Sequence, residues 1–496
     1  MHPPANSNRA LLLTFCWFFA ALSMLATLSQ PGATHDEWFH ASSIWCGQGV
    51  REPYCRDIVD NGVDVPYALT NIDARNCGAD QDRPLLCPTS RSNETALWTN
   101  TGLYPPLFYF VLSWVVIPSV DVSILLARVA SALLISVVLA VMAVLLPSRH
   151  RLVLFLVSLT TFTGSGYFLF ASINPSSWTV FGVGVGWLAV HAAVATGDLS
   201  KVRRVQLGAI GMIAWLMAVG SRWDAPGFVA FSLALLAFHV IWCRFPRYRK
   251  TFLPAALLTV FLLLLVLERL TPLSPLYHLE ILIRYTNGQP DNTAFFTYNF
   301  LQGLPNALRA LGTLPTLTTV TLPDVVFVAA IALLACFMFV TYHRRQPFQV
   351  IGLALSSCVI ALVIMAQVAV NDVRDVGGVE PRYVYPVLVF AVGWWFLLAP
   401  SDFASRVSKY LKPASLVSVG LFALTILTVA ERYVDRQTFG LRYLPESLDQ
   451  WWWTWMPIGP NVVAVLAPLC VWMFFQGFVR HGLLDSSCTT VHKLPL

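Results

Sequence analysis

Charged side chains are scarce in this sequence. Asp, Glu, Lys and Arg make up 12% of its 496 residues, whereas 56% of the residues are hydrophobic. Soluble globular domains carry about twice that charged fraction, so the composition excludes an ordinary soluble domain. The formal net charge is +6, and nothing in the sequence suggests nucleic acid as a partner.

Nucleotide-binding motifs are also missing. The sequence contains no G-x-x-x-x-G-K-[ST] motif, and the glycines of FGVGVGWLAV lie inside an apolar run. In that position they favour helix packing over a cofactor loop. No acidic or histidine residues show a recognisable metal-ligand spacing. The sequence therefore predicts no certain cofactor and leaves a divalent cation open.

Long apolar runs are what the sequence does contain. A helix needs about 20 apolar residues to cross a hydrocarbon core about 30 Å thick. Twelve runs approach this length: 10–28, 122–146, 152–171, 178–195, 205–219, 227–242, 252–267, 325–342, 350–370, 384–400, 414–430 and 462–479. The first run has no small-residue cleavage site, so we interpret it as a spanning helix. We expect an all-α polytopic membrane protein with about 12 transmembrane helices in a lipid bilayer.

The positions of Lys and Arg predict the orientation. If the amino terminus lies inside, basic residues collect in the two tails and in the connections PSRHR, KVRR, CRFPRYRK, YHRR and SDFASRVSKYLKP. Short cytoplasmic connections retain positive charge during insertion, so we expect a plasma-membrane protein with its first long loop outside. This orientation requires that YPPLFYFVLSWVVIP, residues 104–118, does not cross. Its prolines favour a helix start, and we predict a juxtamembrane or re-entrant helix.

The first outer loop is rich in cysteine. Its four cysteines are Cys46, Cys55, Cys77 and Cys87. In an oxidising compartment they most simply form two disulfides, with three possible pairings. A zinc site is the competing interpretation, but the spacings match no common zinc pattern.

Three ionisable residues stand side by side where the first span ends. GATHDEWFH, residues 32–40, contains His35, Asp36 and Glu37. An acidic residue there can simply cap a helix. Three adjacent titratable groups at the mouth of a bundle also suit a general base with supporting partners.

Arginines recur at the same predicted level. They are Arg128 inside the second span, Arg222 beside Asp224 in SRWD, Arg284 in ILIRYTNG, and Arg382 with Glu380 and Tyr383 in VEPRYVYP. The planar, permanently charged guanidinium suits phosphate oxygens. Each arginine alone could equally form a structural ion pair or extend to the interface. Together they favour an anion site on the outer side.

Four short motifs follow one another in a defined order: THDEWFH, YPPLFYF, ASINPSSW and EPRYVYP. In this order the chain resembles a family of polytopic bacterial membrane proteins of unassigned function, over about residues 10–400. That family looks like the GT-C class of membrane glycosyltransferases, which includes protein O-mannosyltransferases and aminoarabinose transferases. Two positions depart from the pattern: His35 replaces an expected proline, and Glu380-Pro381 replaces an expected glycine. The four-cysteine insertion is a further departure.

The resemblance implies transfer of a sugar from a polyprenyl-phosphate donor to a glycan, lipid or protein acceptor on the outer face. It places the general base at Asp36, with Glu37 and His35 beside it. The other implied site residues are Arg382, Tyr383, Arg222, Arg128 and Arg284 for the donor phosphate, and Tyr104, Asn174, Asp224 and Glu380 for the substrate. A secondary transporter and a non-catalytic envelope-assembly protein remain alternatives.

The predicted GT-C-like module covers residues 1–430, and residues 29–120 form its first outer loop with the juxtamembrane helix. Residues 431–496 hold the last outer loop, the final span and a cytoplasmic tail.

Overall fold

The apolar runs form a bundle of long helices in the computed structural model of the chain. The structure describes residues 5–29, 37–51, 54–58, 62–66, 95–97, 104–244, 305, 307–312, 322–342, 346–370, 380–433 and 459–483. Within these ranges nine helices are long and apolar enough to cross a membrane, or up to ten if a bent pair of shorter helices counts as one span. The chain is therefore a multi-pass helical membrane protein.

The helices are named in chain order. They are α1 (Ala5–Thr27), α2 (Glu37–Trp45), α3 (Pro106–Leu112), α4 (Val120–Leu145), α5 (Ser148–Thr161), α6 (Gly164–Phe170), α7 (Ser176–Ala195), α8 (Lys201–Val219), α9 (Ala225–Arg244), α10 (Asp324–Thr341), α11 (Pro347–Val370), α12 (Tyr385–Leu397), α13 (Phe403–Tyr433) and α14 (Pro460–Gly477). A 3₁₀ turn, Ser113–Val115, follows α3, and another, Pro381–Tyr383, precedes α12. A π-helical segment, Phe478–Leu483, follows α14.

Most of the predicted spans coincide with helices. Nine of the twelve runs form single long helices, and the run 252–267 lies outside the described residues. The run 384–400 forms only the 13-residue helix α12, which is shorter than the about 20 residues that a full span needs. The predicted number of about twelve spans is therefore not confirmed.

The run 152–171 is broken in the structure. Helices α5 and α6 meet at an angle of 101°. A Cβ atom at Gly164 would meet the side chain of Thr425 in α13, and one at Gly166 would meet the hydroxyl of Tyr385 in α12. Helix α6 therefore approaches α12 and α13 so closely that only glycine fits at these positions, and the sharp bend accompanies this glycine-rich sequence.

The first loop contains a small sheet and a disulfide. Strands β1 (Arg56–Ile58), β2 (Gly62–Pro66) and β3 (Thr95–Leu97) form an antiparallel sheet in the order β1-β2-β3. The all-α prediction overlooked the sheet because such short strands carry too few alternating residues to give a signal. Cys46 and Cys55 form a disulfide, with Cα atoms 5.3 Å apart. Cys77 and Cys87 lie outside the described residues.

The segment predicted to lie beside the membrane forms a short helix. Helix α3 and its 3₁₀ turn cover Pro106–Val115, which corresponds to about 15 Å of helix, about half of the hydrocarbon thickness. The backbone N–H of Phe108 donates to the carbonyl of Gly220, at 3.1 Å. The segment is thus too short to cross, and it is docked on the turn between α8 and α9.

The glycine string in α7 serves helix packing, as predicted. A Cβ atom at Gly182 would meet the backbone carbonyl of Ala214 in α8, and one at Gly184 would meet the side chain of Val389 in α12. Small residues allow this close approach of helix backbones. Helix α7 consequently lies buried between α8 and α12.

At one end of the bundle, arginines bond to backbone carbonyls. Arg149 donates to the carbonyl oxygens of Leu397, at 2.8 Å, and Ala399. Arg203 Nε donates to the carbonyl of Leu145, at 2.7 Å. The last carbonyls of a helix have no partner within the helix, and these guanidinium groups supply one. This end carries the PSRHR and KVRR connections, which the charge distribution predicts to be cytoplasmic.

Candidate functional site

Residues from the predicted motifs meet at the opposite end of the bundle. We call this group the polar cluster, and it consists of His40 in α2, Tyr104 before α3, Tyr109 in α3, Ser176 at the start of α7, Arg222 and Asp224 between α8 and α9, and Glu380, Arg382 and Tyr383 before α12. These residues are joined by the hydrogen bonds, ion pairs and ring contacts described below. Segments separated by more than 300 positions in the sequence therefore contribute to one neighbourhood.

Arg222 is the centre of the polar cluster. Its Nε and Nη2 atoms donate to the two carboxylate oxygens of Asp224, at 2.8 and 2.6 Å. Its Nη1 donates to the hydroxyl of Ser176, at 2.9 Å. The arginine residue is 8% exposed. A two-pronged pair of this kind fixes the plane of the guanidinium as well as its charge.

The charge of Arg222 is secured by its neighbours. Burial by itself lowers the pKa of Arg222, but the adjacent Asp224 carboxylate and the nearby Tyr104 and Tyr383 raise it, and the net pKa lies above the ordinary value. Arg222 therefore stays protonated at every pH at which the protein works.

A second ion pair stands beside the first. Arg382 Nε lies 2.7 Å from Glu380 Oε2, although these two atoms are not aligned as a hydrogen bond. The guanidinium carbons of Arg222 and Arg382 lie 4.8 and 5.5 Å from the ring centroid of Tyr383. Cations over an aromatic face are attracted to its electron density. Tyr383 thus connects the two ion pairs.

The first-loop helix reaches the polar cluster through His40. This residue is buried, and its Nδ1 lies 2.9 Å from the hydroxyl of Tyr109. The His40 ring also meets Tyr104 edge to face, with centroids 5.1 Å apart, and Tyr104 interacts electrostatically with Arg222. Ring contacts thus run from α2 to the two tyrosines, and Tyr104 lies near Arg222.

Asn174 shapes the turn that presents Ser176. Its side-chain Oδ1 accepts the backbone N–H of Ser176, at 2.9 Å, which is the bond of an Asx turn. The Ser176 hydroxyl is thereby set at the start of α7, where Arg222 reaches it. The Nδ2 atom of Asn174 is buried without a hydrogen-bond partner among the described residues.

Arg128 and Glu37 form a separate buried pair. Arg128 Nε donates to Glu37 Oε1, at 2.6 Å, and Nη2 donates to Oε2, at 2.5 Å. Arg128 Nη1 donates to the carbonyls of Ala26 and Ser29, at 2.7 Å each. Both side chains are buried, with exposures of 1% and 0%. The sequence predicted that Arg128 binds a donor phosphate, but in the structure its Nε, Nη1 and Nη2 atoms all donate to oxygens of the protein.

Three predicted site residues, His35, Asp36 and Arg284, lie outside the described residues. Asp36 immediately precedes Glu37 in the chain. The other predicted site residues lie in or beside the polar cluster. Arg128 and Glu37 are the exception, because they form their own ion pair.

His40, Tyr109 and Ser176 belong to the polar cluster, but the sequence did not single them out. Each lies in one of the four recognised motifs: THDEWFH, YPPLFYF and ASINPSSW. His40 follows Glu37 by three positions, a spacing that puts both side chains on one face of a helix. That spacing was the available signal for His40. For Tyr109 and Ser176 the only available signal was their position inside a recognised motif.

The described charges of the polar cluster balance. Two arginines face two carboxylates, Asp224 and Glu380. A phosphate entering this neighbourhood must compete with a carboxylate for a guanidinium fork. The Glu380 side chain is 23% exposed and that of Asp224 is 14% exposed. Of the two carboxylates, that of Glu380 is the more exposed to solvent.

A chain of three histidines, the buried His150 and His191 and the half-buried His239, lies at the other end of α7. His150 Nε2 lies 2.9 Å from His191 Nδ1, and the rings of His191 and His239 stack with centroids 5.6 Å apart. Ser176 and His191 are separated by about 22 Å along the helix. Within the described ranges, no group of three or more His, Cys, Asp or Glu residues could hold a metal ion.

The fold and the polar cluster define a multi-pass helical membrane protein whose buried arginines and carboxylates gather at one end of the bundle. A family model described as predicted membrane protein (DUF2142) matches residues 18–391. The chain belongs to this family. No curated protein and no solved structure matches the chain.

Proposed function

We propose that the protein is a GT-C-type glycosyltransferase that moves a sugar from a polyprenyl-phosphate donor to an envelope acceptor on the outer face of the plasma membrane. The observation that carries the proposal is the polar cluster itself. In it, His40 of the first-loop helix α2 contacts Tyr104 and Tyr109, and Arg222 and Arg382 both lie over the ring of Tyr383. The resemblance of the four motifs to those of a GT-C-like family supports it. The acceptor is a glycan, a lipid or a protein.

Asp36 is the general base in this proposal. An acceptor hydroxyl must lose its proton as its oxygen attacks the anomeric carbon, and a carboxylate within hydrogen-bond reach can accept that proton. The neighbouring carboxylate of Glu37 is held by both prongs of Arg128. This division assigns a structural partner to Glu37 and leaves the role of base to Asp36.

The arginines of the polar cluster act on the leaving group. As the bond from the anomeric carbon to the phosphate oxygen breaks, the electron pair goes to the phosphate, and nearby cations stabilise this transition state more than the ground state. Arg382 makes the first contact because Glu380 is its more exposed partner. Arg222 is held by Asp224 and lies over the same Tyr383 ring as Arg382. It supplies a second positive charge for the phosphate.

The orientation of the protein supports a lipid-linked donor. The end opposite the polar cluster carries the PSRHR and KVRR connections, and basic connections stay in the cytoplasm. The polar cluster would then face the outside of the cell, where nucleotide sugars are scarce.

A secondary transporter is the second candidate. The chain of His150, His191 and His239 at the end opposite the polar cluster favours it, because a transporter opens alternately to both faces and polar groups lie at both ends of this bundle.

The test uses the purified full-length protein in lipid vesicles with synthetic polyprenyl-phosphate sugars and a panel of acceptors. Asp36→Asn should lower the transfer rate by about 100-fold or more. Asp402→Asn is the matched control, because Asp402 is an exposed acid paired with Arg406 near the opposite end, and it should keep full activity.

Three outcomes would contradict the proposal. Full activity of Asp36→Asn would reject Asp36 as the base. Retention of the anomeric configuration, read by NMR of the product, would reject a single displacement. Movement of the sugar across the vesicle membrane without any new glycosidic bond would favour the transporter.

A further inference from the structure

The guanidinium of Arg128 joins three segments of the chain. Arg128 belongs to α4, but its Nη1 donates hydrogen bonds to the carbonyls of Ala26, near the end of α1, and Ser29, just after α1. Its two remaining prongs hold the carboxylate of Glu37, the first residue of α2. The end of α1 and the start of α2 are thus fastened to one side chain.

This arrangement is costly to break. Arg128 lies in a membrane-spanning helix and is 1% exposed, and a charge at that depth must be paired within the protein. The backbone carbonyls after the last turn of α1 likewise need donors. One guanidinium satisfies both requirements.

Helix α2 is held at a second point, one turn further along. Glu37 and His40 are three positions apart and therefore lie on the same side of the helix. Glu37 is bonded to Arg128 in α4, and His40 contacts Tyr109 in α3. The position of Glu37 therefore affects how His40 meets Tyr109 and Tyr104 within the polar cluster.

We propose that Arg128 is a positioning residue, which sets α2 against α3 and does not bind the substrate phosphate. Its consequence for catalysis rests on the proposed function, because α2 begins directly after Asp36. The positioning itself does not depend on that function. The sequence analysis predicted instead that Arg128 binds the donor phosphate. Positioning of α2 and phosphate binding have different measurable consequences.

Hydrogen exchange of the full-length protein in lipid nanodiscs, followed by mass spectrometry, tests the positioning. In Arg128→Ala, the amides of α2 should exchange about tenfold faster or more, because the helix loses its attachment to α1 and α4. Glu37→Gln keeps an acceptor oxygen but loses the charge, and Arg128→Lys keeps the charge but loses the fork. Both should show a smaller increase, and both remain informative if Arg128→Ala does not fold.

Arg149→Ala is the matched control. Arg149 is another arginine that donates to two backbone carbonyls, those of Leu397 and Ala399, at the opposite end of the bundle. Its loss should increase exchange around residues 397–400 and leave α2 unchanged. Unchanged exchange of α2 in all the Arg128 and Glu37 variants, or an equal increase at α2 in Arg149→Ala, would overturn the proposal.

Transfer kinetics separate positioning from phosphate binding. Arg128→Lys should lower kcat and leave the KM for the polyprenyl-phosphate donor within about twofold of the original value, since a positioning residue changes geometry in the bound complex. A large rise in donor KM with unchanged kcat would assign Arg128 to the phosphate and overturn the proposal. If no sugar is transferred by the unmodified protein, the proposed function fails, and the exchange experiment still decides the positioning.

Discussion

Tyr383 is the residue on which the two ion pairs of the polar cluster converge. The guanidinium carbons of Arg222 and Arg382 both lie over its ring, and each arginine has a carboxylate two positions away in the sequence, Asp224 and Glu380. A local ion pair needs no distant segment to form. The aromatic ring is what couples a turn between α8 and α9 to a turn before α12.

The Arg222–Asp224 pair should show a strong energetic coupling. Arg222→Lys removes the fork that binds both carboxylate oxygens and Ser176 at once. Because both side chains are largely buried, we expect a coupling of about 1–3 kcal/mol in a double-mutant cycle with Asp224→Asn. Thermal denaturation of the four proteins in nanodiscs measures it. Additive effects of the two substitutions would contradict the prediction.

The same pair should be insensitive to alkaline pH. Burial lowers the pKa of Arg222, but the Asp224 carboxylate raises it by more, so the net pKa lies above the ordinary value. A raised pKa gives stability that is present below the unfolded-state pKa and is lost only above the folded-state pKa. The difference in melting temperature between the original protein and Arg222→Lys should therefore stay constant between about pH 6 and pH 9.

Sequence reasoning found the polar residues more easily than their partners. Arg222, Asp224, Glu380, Arg382 and Tyr383 were all candidates, because charges near a membrane core are expensive and draw attention. The long-range partners were not predictable, since they depend on which helix ends meet. Arg128 illustrates this: its sequence position fits a phosphate ligand, but its bonds go to Glu37 and to two carbonyls.

Helix α7 depends on glycine for its place in the bundle. Gly182 faces the backbone of Ala214 in α8, and a side chain there would separate the two helices. The packing brings the start of α7, with Ser176, to the turn that carries Arg222. A change in the middle of α7 is therefore transmitted to the polar cluster.

Gly182→Ala should destabilise the protein by about 1–3 kcal/mol, because a methyl group forced into a closely packed interface must displace backbone. Gly208→Ala in α8 is the matched control, since nothing lies within 4 Å of a Cβ atom at that position. It should be neutral or stabilise the helix by up to about 1 kcal/mol. Melting temperatures in nanodiscs distinguish the two, and equal losses would contradict the packing argument.

Apolar length predicted helices well and their interruptions poorly. Nine runs became single long helices because the bilayer imposes a minimum length that hydropathy can read. The break between α5 and α6 escaped notice because it involves contacts of Gly164 and Gly166 with α12 and α13. The small sheet of the first loop escaped notice because its strands are three to five residues long.

The whole molecule has two chemically different ends. One carries the polar cluster, and the other carries arginines such as Arg149 and Arg203, bonded to helix carbonyls. Basic residues are retained on the cytoplasmic side. The charge distribution therefore predicts that the polar cluster faces outward.

Cysteine labelling in cells tests this orientation. Val50 lies in the first loop and Ser401 lies between α12 and α13, and both are exposed. A membrane-impermeant maleimide should label Val50→Cys in intact cells and Ser401→Cys only after the cells are opened, with the unmodified protein as the background control. The reverse pattern would place the polar cluster on the cytoplasmic side and remove the basis for an outer-face transferase.

The length of α12 has a consequence for access. Its 13 residues extend over about 20 Å, about 10 Å less than the hydrocarbon thickness. If its carboxyl end, with Leu397 bonded to Arg149, marks one membrane surface, then Arg382 is recessed below the opposite one. A donor attached to a long isoprenoid chain reaches that depth by lateral diffusion within its leaflet, whereas a water-soluble sugar would first have to cross the headgroup region.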